Sequence, residues 1–173
     1  MKKIIVTGCN GQLGRAINEV YSNSSEFECV NTDVAELDIT NIDAVNRLVA
    51  EVKPYAIVNC AAHTNVNGCE TDIDNAYRIN AIGPRNLSIA ATRYGAKMMQ
   101  MRNHFIEKIS NISNEIHGSI TNGKEKLTIL YNPNLTAFDD VKEQEDFFYD
   151  ELKKSYANDL RQRTTTKGPH KDD

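Results

Sequence analysis

The residues best placed to do chemistry lie near the start of the chain. Thr7-Gly8-Cys9-Asn10-Gly11-Gln12-Leu13-Gly14 follows a β-branched run, precedes a helical pattern and carries a glycine at every third position. That context suits the pyrophosphate of a dinucleotide. Gly8 permits a tight turn, Gly11 lets the phosphates approach the backbone, and Gly14 lets the helix lie close to the strand. The amides and dipole at the helix start favour the negative charge. Asp33 lies 19 residues after Gly14, at the end of the next predicted strand. There a carboxylate accepts hydrogen bonds from adenosine ribose hydroxyls and repels a 2′-phosphate. Asp38-Ile39 comes next, where the chain can turn under an adenine ring. A plain α/β turn is the other use of such glycines.

Three further groupings carry less. Cys60, His63 and Cys69 are zinc-ligand types, but a fourth ligand and a second close pair are missing, so no metal is expected. The four cysteines form no CxxC pair, and they read as reduced thiols. Tyr149-Asp150-Glu151-Leu152-Lys153 places a phenol and an amine one helical turn apart, yet within a charged helix and with no Ser or Thr partner. Asp139 and Asp140 read as charges at a helix start rather than a metal pair.

The elements that must position these residues follow from periodicity. Lys3-Ile4-Ile5-Val6-Thr7 is a buried strand by length and β-branching. A helix is expected from Gln12 to Tyr21, then a strand around Glu28 to Thr32. A second helix has Thr40 as N-cap, carries Ile42, Val45, Leu48, Val49 and Val52 on one side, and stops at Pro54. Tyr55 to Asn59 is a strand. A helical stretch from Asp72 to about Tyr94 is interrupted at Gly83-Pro84 and capped by Gly95, and Ala96 to Met101 reads as a further strand. Strands alternating with helices predict an α/β fold with a doubly wound parallel sheet.

Composition breaks near residue 100. Residues 1–100 hold 12 alanines, 6 glycines and 20 charged residues, against 2, 3 and 24 in residues 101–173. Although no Pro, Gly or Ser-rich linker marks the join, the parts read as two domains, 1–100 and 101–173. In the second, Phe105, Ile109, Ile112, Ile116 and Ile120 form one apolar stripe along a helix ended by Gly123. Leu127 to Tyr131 reads as a strand. A charged helix follows from Phe138 to Arg163, with Val141, Phe148, Leu152, Tyr156 and Leu160 on its apolar face. The stripes predict helix-on-helix packing in a hairpin or short coiled coil, within a helix-rich α+β fragment.

The whole chain, 173 residues with 40% apolar and 25% charged, has the composition of a soluble globular protein. A net charge of −4 gives no basic field for nucleic acid. Only a short apolar run precedes Gly8, so neither a signal peptide nor a membrane span is expected, and a cytoplasmic location follows.

Two family resemblances attach to these residues. Thr7 to Gly14, Leu37-Asp38-Ile39-Thr40-Asn41, Val58-Asn59-Cys60-Ala61-Ala62-His63-Thr64 and Ile79-Asn80-Ala81-Ile82-Gly83-Pro84 resemble the N-terminal half of dTDP-4-dehydrorhamnose reductases. These are extended short-chain dehydrogenases that reduce a nucleotide-linked keto-sugar. The resemblance implies a Rossmann-like half domain in which Gly8, Gln12, Leu13, Asp33, Asp38, Ile39, Ala61, Ala62, Thr64 and Asn80 line a cleft for NADPH or NADH. The family's catalysis needs a tyrosine acid, a lysine four residues on and a Ser or Thr after the fifth strand, to protonate the alkoxide as hydride arrives. Where that loop is due, the chain reads Met101-Arg102-Asn103-His104-Phe105. No catalytic residue is therefore assigned, and the nucleotide-sugar site is expected to be incomplete.

Arg102 to Leu130 and Gly168-Pro169-His170-Lys171-Asp172-Asp173 resemble an internal piece of the RecF DNA replication and repair ATPase. No P-loop is present, so ATPase activity is not expected. DNA is the weaker partner, because residues 101–173 carry 11 basic against 13 acidic side chains. The first expectation is a cofactor-binding chain without reduction. A protein or DNA interaction module and an unselected fusion are the alternatives. A parallel sheet cut short leaves an edge, and a homo-oligomer is expected through it unless the second part covers it.

Overall fold

A computed structural model of the protein describes residues 1–162 and 164–172. It divides into two compact units, Met1–Tyr94 and Gly95–Asp173.

In the first unit, β1 (Lys2–Thr7) is the central strand of a three-stranded parallel sheet. It is flanked by β2 (Phe27–Thr32) and β3 (Ala56–Asn59), with Ile5 opposite both Val30 and Ile57. A central parallel strand is covered on both faces, which is why Ile4, Ile5, Val6 and Thr7 are all buried in one unbroken run. α1 (Gln12–Tyr21) links β1 to β2, and α2 (Ile42–Val52) links β2 to β3. Because the order is β2-β1-β3, successive connections leave β1 in opposite directions. A crevice therefore opens at the carboxyl ends of β1 and β3.

The core packs Ile5 with Leu37, Ile39, Val45, Val49, Leu87 and Ala90. Fully burying one such aliphatic side chain stabilises the fold by about 1.5–3 kcal/mol. The α2 stripe read from the sequence thus faces the sheet. Its N-cap is Asn41 rather than the expected Thr40: the Asn41 Oδ1 accepts from the Asp43 and Ala44 amides, each at 3.1 Å. At the other end Lys53 turns left-handed (φ 52°) before Pro54 stops the helix.

Beyond β3 the chain departs further from expectation. α3 (Val66–Thr71) and α4 (Ile73–Tyr77) precede a π-helical turn at Arg78–Ile82, and α5 then runs from Gly83 to Thr121. Gly95 does not cap a helix, and Ala96 to Met101 is helix rather than strand. Alanine, lysine and methionine are good helix formers, and Phe148 packs against the Cα of Gly95, which keeps this turn of helix covered.

The second unit has no strand among its described residues. Leu127 to Tyr131 is extended but unpaired. Its amides are taken by α5 side chains, Leu127 N–H by Asn114 Oδ1 at 3.1 Å and Ile129 N–H by Ser110 Oγ at 3.2 Å. Asn122 (φ 53°) and Gly123 (φ 73°) end α5 as the sequence indicated. α6 is Val141–Gln162, beginning three residues later than expected; Arg163 lies outside the described residues. Its Phe148 packs with Met99 and Leu135 in a small core.

The apolar stripes do not close a hairpin along their length. Phe105, Ile112, Ile116 and Ile120 stay more than half exposed, as do Tyr156 and Leu160. Polar groups hold this unit instead. Gln144, fully buried, accepts from Phe138 N–H (2.8 Å) and donates to Thr136 O (3.2 Å). The Asp172 carboxylate accepts from Arg102 Nη1 (2.7 Å), from Asn134 N–H (2.8 Å) and from the Tyr131 hydroxyl.

Candidate functional site

The glycine loop is built by close packing. Gly8 is left-handed (φ 60°), and a Cβ there would lie 2.7 Å from Ala61 Cα. A Cβ on Gly14 would lie 2.5 Å from Gly8 O and 2.6 Å from Cys9 Cα. Any larger residue at either position pushes α1 or the β3 loop out of place. Gly11 is the N-cap of α1; no side chain caps that helix and its first turn holds no acid. No side chain therefore takes up the amides at its start.

Asp33 closes the next side. Its carboxylate accepts from Val34 N–H at 2.8 Å and from Asn10 N–H at 3.0 Å. These two bonds, Val34's first, hold it below the ordinary aspartate range, so it is an anion that ties β2 to the glycine loop. Each oxygen keeps a lone pair for a ligand hydroxyl. Burial pushes the Cys60 thiol up, and burial followed by the charges of Asp33 and Glu36 does the same to Cys9. Both are neutral thiols rather than nucleophiles at neutral pH.

A cavity of about 440 Å³ opens here, lined by Gly8, Gly11, Asp33, Asp38, Ile39, Ala61 and Ala62 of the expected residues. Gln12, Leu13, Gly14, Thr64 and Asn80 are not in its lining. Asn80 acts on the wall from behind, its Oδ1 accepting from His63 N–H (2.8 Å) and its Nδ2 donating to His63 O (3.0 Å). The loop carrying Ala61 and Ala62 is also fixed by Asn59, whose Oδ1 accepts from Thr7 Oγ1 (2.6 Å) and Ala61 N–H (3.3 Å).

Three contributors were missed from sequence. Asn86, buried, donates to the carbonyls of Ile39 and Thr40 at 3.1 Å each and fixes that stretch of the cavity wall. Asn75 and Arg78 line the cavity, and Arg78 Nη2 donates to Thr40 Oγ1 at 3.2 Å. Arg78 is the one cation in a lining with two carboxylates. Its signal was weak, since an arginine inside a helical pattern reads as a solvated face.

The remaining candidates are elsewhere. Cys69 Sγ lies 3.4 Å from His63 Nδ1, and no cluster of three or more His, Cys, Asp or Glu able to hold a metal occurs among the described residues. Tyr149 is exposed on α6, with Lys153 Nζ 6.0 Å from its ring centroid. No helix among the described residues is long and apolar enough to cross a membrane.

A parallel α/β sheet with a glycine loop at its strand-order reversal is a Rossmann-like unit. Residues 1–106 match the model of the family described as the RmlD substrate binding domain, and the chain belongs to that family. It is 33% identical over 106 residues to the dTDP-4-dehydrorhamnose reductase of Aggregatibacter actinomycetemcomitans, covering 61% of this chain and 36% of that protein. The crystal structure of the Bacillus anthracis dTDP-4-dehydrorhamnose reductase in complex with NADP is 43% identical with a TM-score of 0.53. That match covers 55% of this chain and 34% of that one. The chain thus spans about a third of the length of these reductases. It is also 36% identical over 101 residues to the DNA replication and repair protein RecF of Agathobacter rectalis, covering 58% of this chain and 26% of that protein.

Proposed function

We propose that the first unit binds a nicotinamide dinucleotide, NADPH or NADH, and that the chain does not turn over a dTDP-linked keto-sugar. The observation that carries the binding is the Gly8/Gly14 loop, too tight for any Cβ, opening α1 onto a 440 Å³ cavity with Asp33 fixed at its rim. The residues present fit the cofactor: uncapped amides for the pyrophosphate, a carboxylate for ribose hydroxyls, and Ile39 with Arg78 on the adenine side. The NADP held by the Bacillus anthracis relative supports the same reading.

When bound, the nicotinamide supplies a hydride. The amides at the start of α1 balance the pyrophosphate charge and set its place along β1. Asp33 orients the ribose, and Ala61 and Ala62 leave flat backbone beside the cleft. Reduction further needs a proton held at a phenol beside the keto oxygen. Where the family's Ser/Thr loop is due, α5 continues as helix through Met101 and Arg102, which favours the loss of turnover. A location in the cytoplasm belongs to this same proposal.

Isothermal titration of the purified chain tests it. Saturable NADPH binding is expected, with no NADPH consumed when the dTDP-keto-sugar is added. Absence of binding by a chain with native circular dichroism overturns the first part, and sugar-dependent oxidation of NADPH overturns the second.

A further inference from the structure

α5 is packed the wrong way round over its distal half. Its polar residues Ser110 and Asn114 face inward and hold the Leu127–Ile129 backbone. Five of its large apolar residues face out: Met101, Phe105, Ile112, Ile116 and Ile120 are between 56% and 74% exposed, while Ile106 and Ile109 are half-buried. At 100° per residue these five fall on one arc of the helix, about 28 Å long by a rise of 1.5 Å per residue. Lys108 and Glu115, both exposed, flank that arc on the same side, seven residues apart.

We infer that this stripe pairs antiparallel with the same stripe of a second copy of the chain. In an antiparallel helix pair, residues flanking one side of the seam face the same flank of the partner helix. Lys108 of one copy therefore meets Glu115 of the other, and two-fold symmetry repeats the pair. That charge register fixes the apolar register without further choice. Phe105 comes opposite position 118 of the other helix and enters the gap between Ile116 and Ile120, while Ile112 meets its own copy beside the axis. A parallel pair would turn that flank toward the partner's other flank, so Lys108 and Glu115 would not meet across the seam. Covering five such side chains on each copy removes on the order of 1,000 Å² in total, the lower end for a specific interface, so a weak dimer follows.

Sedimentation equilibrium of the full chain tests this, with far-UV circular dichroism to show that each variant keeps its helices. Wild type self-associates to a dimer between about 1 and about 200 µM. Ile112→Glu stays monomeric throughout. Lys108→Glu and Glu115→Lys each weaken the dimer by about tenfold, since each turns two attractions into two repulsions, and the double reversal returns it to within about threefold of wild type. A wild-type chain monomeric across that range overturns the inference. So does a dimer indifferent to these variants, which would place the contact at the sheet edge. A monomer that binds single-stranded DNA through Lys108 would assign the stripe's flank to nucleic acid instead.

Discussion

The two units solve the same problem of chain burial in opposite ways. In the first, Ile4, Ile5, Val6, Val45 and Val49 are buried, and polar groups are kept for the crevice. In the second, Asp172 ties Arg102, Tyr131 and Asn134 together and Gln144 and Asp159 fasten nearby turns, while Phe105, Ile112, Ile116 and Ile120 face solvent. A hydrophobic core is tolerant and graded, so the first unit bends rather than breaks under small changes. A carboxylate shared by three donors is an all-or-none fastening. The lesson is that an apolar period gives a helix's existence but not which face finds a partner.

This contrast is open to direct attack. The largest effect is expected for Asp172→Ala, which strips the Arg102 guanidinium, Tyr131 hydroxyl and Asn134 amide of one acceptor whose side chain is 2% exposed. Breaking a buried pair costs about 3–5 kcal/mol, reduced here because Arg102 is 36% exposed. Hydrogen exchange should show α6 amides opening about a hundredfold more often while β1 amides keep their protection. Equal loss in β1 would show that the network is not local to the second unit.

Next in size is Gly14→Val. Its branched side chain must displace Gly8 O or Cys9, and dinucleotide affinity should fall by at least about tenfold, with hydrogen exchange in α6 unchanged. A variant with wild-type affinity would show that the loop's closeness is not what holds the pyrophosphate. Smaller and more specific is Arg78→Ala. Removing the one cation of the lining should weaken NADPH about fivefold and NADH no more than about twofold, because Asp33 then repels the 2′-phosphate unopposed. Equal effects on both cofactors would show that Arg78 does not act on the 2′-phosphate.

The smallest effect is alkaline. Burial, and then the hydrogen bond to Asp172 and its charge, push the Tyr131 phenol up to about 12 from 10.0. The unfolded chain therefore releases that proton first, and the second unit's stability is complete below about pH 10 and falls as pH rises toward 12. Tyr131→Phe should flatten that decline; an unchanged decline would assign it to other groups.

Much of the first unit was legible because each local signal agreed with the next. β-Branched runs gave three strands, Gly8 and Gly14 marked the loop, and Pro54 marked the end of α2. Thr40 misled because Asn41, one residue on, competes for the same cap with a stronger acceptor. From Ala96 onward the signals conflicted. Ala96 to Met101 has a strand's apolar run but helix-forming residues, and Phe148, some fifty residues away in sequence, decides the outcome by covering Gly95. Leu127 to Tyr131 alternates like a strand but has no neighbouring strand to pair with. Asn86 and Arg78 were invisible because their roles depend on Thr40, nearly forty or more residues upstream.

The central claim is that the crevice at the ends of β1 and β3 holds a dinucleotide by its backbone amides. Amide chemical shifts of the isotope-labelled chain, titrated with NADPH, test this most directly. Saturable shifts are predicted for Gly11, Gln12, Leu13 and Gly14 and for Asp33 and Ile39, with the amides of α6 still. No saturable shift in residues 8–14, or shifts confined to the second unit, would contradict it.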